Sequence, residues 1–154
     1  GSSVDPCAVV ARILVSNGRE IDERIAELGA IGSPTREGLA AIAQVHGWLT
    51  RDVLGEAEVG LPVSFVSKYL HFHVPIVPIY DGLACRALGR YTRARFARRF
   101  KATDARLPKL PGQLSDYRWL CARFLPLWDE IQESRPGTSV KQVDHHLWQL
   151  GAGR

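Results

Sequence analysis

The sequence predicts an all-α domain. Apolar residues recur at three- and four-residue spacing along most of the chain, capping residues stand before those runs, and strand signals are nearly absent. Asp5 is placed to cap a first helix with Pro6 at its first position, and Val9, Val10, Ile13 and Leu14 share a face up to Gly18. Residues 20–30 put Ile21, Ile25 and Leu28 on one face with charges opposite. Ser33-Pro34 opens a third helix, whose stripe is Leu39, Ile42, Ala43, His46, Leu49 and Val53, and Gly55 ends it. A fourth helix starts at Val63 or Ser64 and runs to about His73, where Val74-Pro75 stops it, because a residue before proline is pushed out of the α region. Pro75 and Pro78 bracket a rigid extended segment that has no comparable partner to pair with. Asp81 then caps a helix carrying Leu83, Ala87, Leu88 and Tyr91. A Pro/Gly-containing loop covers 103–112. Residues 115–132 form a strongly amphipathic helix through Trp119, Leu120, Phe124, Leu127 and Trp128, with Pro126 as the place for a bend. Ser139 caps a last short helix with Val143, Leu147, Trp148 and Leu150, stopped by Gly151.

Bulk properties fit one compact helical bundle. The 154 residues are ordinary for a single domain, and 45% hydrophobic with 23% charged is a globular mixture, not a disordered one. There is no repeat, low-complexity stretch or internal linker. Apolar runs fall far short of the ~20 residues of a membrane helix, and no signal peptide is visible. Gly1-Ser2-Ser3 reads as a cloning remnant, which leaves 4–154 as the domain; a targeting segment trimmed ahead of it stays open. Cys7, Cys85 and Cys121 are too few and too scattered for a disulfide framework or a zinc ribbon. Flanked by apolar residues, they read as buried reduced thiols, which fits a reducing cytoplasm.

Net charge is +4, and it is concentrated. Residues 86–101 carry Arg86, Arg90, Arg93, Arg95, Arg98, Arg99 and Lys101 with no acid among them. At helical spacing Arg86, Arg90 and Arg93 share a face that can lie along a phosphate backbone, the plain alternative being a solvated surface. Tyr91, Phe96 and Phe100, interleaved with them, anchor the helix to the core or intercalate.

The chemistry-bearing stretch runs from Ser67-Lys68 to Asp81. Lys68 stands among Phe65, Val66, Tyr69, Leu70 and Phe72. Burial in that company strips an ammonium of hydration and favours the neutral, nucleophilic amine, and a position near a helix N-terminus acts in the same direction. The bland alternative is a lysine that snorkels to water or pairs with a carboxylate. Asp81 is by default an N-cap, but its second oxygen can do chemistry if it faces a cleft. A ten-residue helix is only ~15 Å long, so the proline-bounded return can bring Asp81 alongside Lys68. His71 and His73, like His145 and His146, diverge on a helix, and no metal-ligand spacing is present. Asp144 either adds a carboxylate near the site or pairs with a nearby base. Trp48, Trp119, Trp128 and Trp148 read as core.

The run Gly60-Leu61-Pro62-Val63-Ser64-Phe65-Val66-Ser67-Lys68, followed by Val77-Pro78-Ile79-Tyr80-Asp81, resembles the core of the helix-hairpin-helix DNA glycosylase superfamily. There a hairpin leads into the helix of the catalytic lysine, and a Val-Pro-apolar-Asp segment brings in the catalytic aspartate. Within that superfamily the chain is most similar to the bacterial 8-oxoguanine DNA glycosylase-like group. The shared wording is Ser67-Lys68-Tyr69-Leu70-His71-Phe72, then Pro78-Ile79-Tyr80-Asp81, and more weakly the closing helix from Val143 to Gly151. The likeness is specific over about 60–90, and the first 55 residues match only in being helical. The lysine-to-aspartate interval is shorter than in typical members by more than a helical turn. Gly60-Leu61-Pro62-Val63-Ser64 also replaces the usual Gly-x-Gly hairpin, whose amides hold a DNA phosphate.

The resemblance implies a bundle like the helix-hairpin-helix glycosylase core, acting on DNA that contains a modified base. Lys68 would attack C1′ of a flipped nucleotide and form a Schiff base, with AP-lyase activity alongside base removal, and Asp81 would stabilise the developing sugar cation. Phe65, Tyr69 and Tyr80 become base-pocket candidates, with Phe72 beside them. Arg86, Arg90 and Arg93 become candidates for the DNA backbone. No cofactor or metal is implied. The group's name suggests oxidised guanine; a hypermodified cytosine of phage DNA suits a defence enzyme equally. Two other readings compete: a non-catalytic nucleic-acid-binding module that keeps the fold, and a protein-interaction domain in which Lys68 and Asp81 form a structural ion pair.

Overall fold

Most helices begin where a side chain can take up their free amides. The computed structural model describes residues 5–57, 62–95 and 114–154, and among these every regular element is helical. The helices are α1 (Pro6–Ser16), α2 (Gly18–Gly29), α3 (Arg36–Trp48), α4 (Val63–His73), α5 (Gly82–Arg95), α6 (Leu114–Ser134) and α7 (Val140–Gly151). The expected cloning remnant, hairpin residues Gly60 and Leu61, the basic residues Arg98, Arg99 and Lys101, the aromatics Phe96 and Phe100, and the 103–112 loop lie outside the described residues.

Asp5 accepts from the Cys7 amide at 2.9 Å, and Asp81 Oδ1 accepts from the Leu83 and Ala84 amides at 2.9 and 3.3 Å. Ser139 and Gln142 satisfy each other's backbone in a reciprocal capping box. The third helix opens slightly later than expected. Thr35, not Ser33, is its cap, with its hydroxyl accepting from the Gly38 amide at 3.0 Å. Its apolar stripe continues through a π-helical turn at Leu49–Val53 and a short 3₁₀ turn at Gly55–Ala57. Pro126 lies inside α6 without ending it. Gly151 is not the helix stop expected from the sequence: it is the last helical residue, and the left-handed glycine is Gly153, at φ 75°.

The core runs between α3 and α6, closed by α4 on one side and by α5 and α7 on the other. Leu39, Ile42 and Leu49 meet Tyr117, Leu120 and Phe124, with Val66, Leu70 and Leu88 completing the cluster. His46 is part of it: its ring stacks on Tyr117 at 3.8 Å, and its Nε2 donates to the Val63 carbonyl at 3.0 Å. Burial lowers the His46 pKa to about 4, so the ring is neutral. Two expectations of burial need correction. Cys7 is exposed, because α1 buries none of its residues, and only Cys121 is fully buried among the thiols. Trp148 is 36% exposed, on the open side of α7. None of the described helices is long and apolar enough to cross a membrane.

Candidate active site

The segment between Pro75 and Pro78 is not the extended one expected: it turns, with the Val77 amide donating to the Val74 carbonyl at 3.0 Å, and residues 78–80 that follow have no regular structure, so their backbone groups need side-chain partners. Three helices supply them. His71 Nδ1 donates to the Val77 carbonyl at 2.7 Å, and the Tyr117 hydroxyl donates to the Pro78 carbonyl at 2.8 Å. The Ile79 amide donates to Asp144 Oδ2 at 3.3 Å, and the Tyr80 amide donates to Ser67 Oγ at 2.9 Å. The buried Ser67 hydroxyl in turn donates to the Ser64 carbonyl at 2.9 Å. Ser67 precedes Lys68 and Tyr80 precedes Asp81, so the bond between them ties together the two residues next to Lys68 and Asp81, which line a common cavity. Ser67→Ala is expected to leave the Tyr80 amide without its partner and to destabilise the protein by about 1–3 kcal/mol, measured by denaturant unfolding.

The cavity has a volume of about 260 Å³. Lys68 lines it from α4, Ile79 and Asp81 from the link between α4 and α5, and Ala84 from α5, while Lys141, Asp144, His145 and Trp148 form its α7 wall. Burial orders these groups by depth. Asp144 and Ala84 are buried, Ile79 and Asp81 are half-buried, and Lys68, Lys141, His145 and Trp148 are exposed at the mouth. Burial raises the Asp144 pKa to about 7, against the opposing pull of the Ile79 amide, and the nearby Asp81 carboxylate adds to the rise. Asp81 uses Oδ1 for its cap, and its Oδ2 has no hydrogen-bond partner among the described residues.

Lys68 differs from expectation in its surroundings. It is exposed, and Phe72 (81% exposed) and Phe65 turn to solvent, so the apolar sequence neighbours do not enclose it. It is also the sixth residue of α4, beyond the first turn where a helix dipole acts. Among the described residues neither Lys68 nor Asp81 takes part in an ion pair, so the structural pair of the third reading is not formed.

The other predicted residues lie elsewhere. Tyr80 faces a smaller neighbouring cavity of about 210 Å³ with Cys85, Asp116 and Trp119, and burial pushes the Cys85 thiol up to about 12. Phe65 and Tyr69 line neither cavity; their rings stack at 6.1 Å along α4, and Tyr69 meets His73 edge-on at 4.9 Å. Arg86, Arg90 and Arg93 are exposed on α5, with Arg93 Nε donating to the Gly89 carbonyl of its own helix at 3.1 Å. Arg86 is two positions beyond Ala84, the α5 residue of the cavity wall, or about 200° around the helix. The arginine face is therefore turned away from the cavity, and the basic side chains at its mouth are Lys68 and Lys141, with the His145 imidazole beside them. Among the described residues no group of three His, Cys, Asp or Glu could hold a metal ion.

Asp144 is the residue whose place the sequence left undecided. A signal for it was present: Val140, Asp144, Leu147 and Gly151 fall at helical spacing, which puts an acid in the buried stripe of α7. Compared with protein-family models, curated proteins and solved structures, the chain matches none.

Proposed function

We propose that this protein is a DNA glycosylase with AP-lyase activity, excising an oxidised or otherwise modified base through Lys68 and Asp81 in DNA repair or anti-phage defence. The observation that carries the reading is a single cavity holding the Lys68 amine, an Asp81 carboxylate and an apolar wall of Ile79, Ala84 and Trp148. Its volume lies just below the range of about 300–1,000 Å³ usual for drug-sized ligands, which suits one planar base better than an extended molecule.

Base removal here begins with the nucleotide flipped into the cavity and DNA covering the mouth. The Lys68 amine attacks C1′, and the bond between C1′ and the base breaks, with its electron pair leaving on the base. The base takes up a proton and Lys68 gives one up. Asp81 Oδ2 stands against the positive charge that develops on the sugar. Ring opening then gives a protonated imine between Lys68 and C1′, with O4′ protonated. Elimination from that imine cleaves the strand on its 3′ side.

Borohydride reduces such an imine to a stable amine and leaves the protein covalently joined to DNA. Wild-type protein is expected to be trapped on duplexes carrying an oxidised base, a modified cytosine or an abasic site. Lys68→Ala is expected to lose trapping altogether, and Asp81→Asn to slow it by ~100-fold or more. Absence of both an adduct and base release with every such duplex would sink the assignment.

A further inference from the structure

We infer that Asp144 reads the extruded base: its free Oδ1 accepts a hydrogen bond from a ring N–H or exocyclic amine, which makes donor-bearing bases the substrate class. This rests on the glycosylase reading and deepens it. Asp144 is only 9% exposed, yet it lines the cavity, and it forms no ion pair with any described residue. Oδ2 takes the Ile79 amide at 3.3 Å, while Oδ1 has no hydrogen-bond partner among the described residues. Oδ1 is not one of the buried polar atoms that lack a partner, so what remains exposed of this side chain opens on the cavity, where a ligand can meet it.

The surroundings fix the kind of ligand. Beside Asp144 the inner end is apolar, formed by Ala84 and Ile79, and Trp148 stands further out with part of its ring open to solvent. Lys68 and Lys141 stand at the mouth. Donor demand at the inner end, an aromatic side wall and positive charge outside fit a flat heterocycle whose N–H or NH₂ points inward and whose sugar and phosphates stay at the mouth. The neighbouring Asp81 already commits Oδ1 to the α5 cap and has its Oδ2 assigned to the sugar cation, which leaves the base to Asp144. Asp144 is thus a recognition residue, separate from the Lys68–Asp81 pair that performs the bond exchange.

Abasic DNA has no base to read, so it separates the two roles. Asp144→Asn keeps an oxygen for the Ile79 amide and turns an NH₂ towards the cavity, setting donor against donor. At pH 8, where the Asp144 carboxyl is ionised and Oδ1 accepts, single-turnover base release from duplexes bearing 8-oxoguanine or 5-hydroxymethylcytosine is expected to fall ~10- to 100-fold in this variant, the usual effect of losing one charged hydrogen bond. Borohydride trapping on an abasic duplex is expected to fall at least tenfold less. Asp144→Ser, whose hydroxyl can accept as well as donate, is expected to lie between wild type and Asn. Equal losses on both kinds of duplex, or unchanged base release, would overturn the role of Asp144. So would a wild-type protein that is trapped on abasic DNA but releases neither base. A wild-type protein that forms no adduct even on abasic DNA fails earlier, at the glycosylase reading itself.

Discussion

Gly151→Ala is expected to destabilise the protein by about 3 kcal/mol or more, which for a chain of this size lowers Tm by roughly 6–12 °C. A Cβ at this position would lie 2.0 Å from the Leu83 carbonyl oxygen, 2.5 Å from its carbon and 2.9 Å from its Cα. All three are backbone atoms, so no rotamer change relieves the clash, and α7 must move away from α5 by more than an ångström. That movement also reaches the cavity. Asp81 and Ala84 lie on the α5 side, while Asp144 and Trp148 lie on α7. Separation would lengthen the already weak 3.3 Å bond from the Ile79 amide to Asp144. Trapping should therefore fall at temperatures where the variant is still folded. Gly29→Ala is the control: it ends α2 with nothing within 4 Å of an added Cβ, and it should be neutral or slightly stabilising. A thermal melt of Gly151→Ala that overlays wild type would show that the two helices do not approach this closely in solution.

Gly151 also shows what the sequence could and could not disclose. Its glycine reads from the sequence as a local helix stop, but the left-handed position belongs to Gly153. The packing reason was not legible, since Leu83 is distant in sequence and nothing local announces the contact. The same division runs through the site. Caps and apolar periodicity placed Lys68 and Asp81 on consecutive elements, and the short α4 allowed the return that Ser67 and Tyr80 complete. Whether the neighbours of Lys68 enclose it depends on what packs outside α4, and Phe65 and Phe72 show that little does. Asp144 was the opposite case. Its stripe position was readable, but its partner amide is 65 residues away. The place of the arginines was hidden on a third ground: like charge at helical spacing defines a face, and only the position of Ala84 in the wall shows that this face points away from the cavity.

Asp144→Asn is expected to gain stability relative to wild type as pH rises, by about 2–4 kcal/mol between pH 4 and pH 8. Burial, chiefly, lifts the Asp144 pKa from its ordinary 3.8 to about 7 in the fold. Between those values the unfolded chain has released the proton that the folded protein still holds, so stability falls as pH rises and levels off above pH 7. Each unit of difference is worth about 1.4 kcal/mol, which bounds the penalty at roughly 4 kcal/mol. Asparagine carries no such penalty, and its unpaired NH₂ adds a cost that does not change with pH. The groups facing Asp144 are Lys68 on α4, Asp81 and Cys85 at the start of α5, Tyr117 and Cys121 on α6, and Lys141 and His145 on its own helix. His46 has the reverse dependence: its lowered pKa gives stability that is complete above about 6.5 and is lost as pH falls towards 4. It is common to both proteins and cancels in the difference. Urea unfolding at half-unit steps from pH 4 to 8 measures the effect, and parallel stability curves would show that the carboxylate is not buried as described. A variant that becomes more stable above neutral pH while losing base release identifies a carboxylate kept for recognition at the expense of the fold.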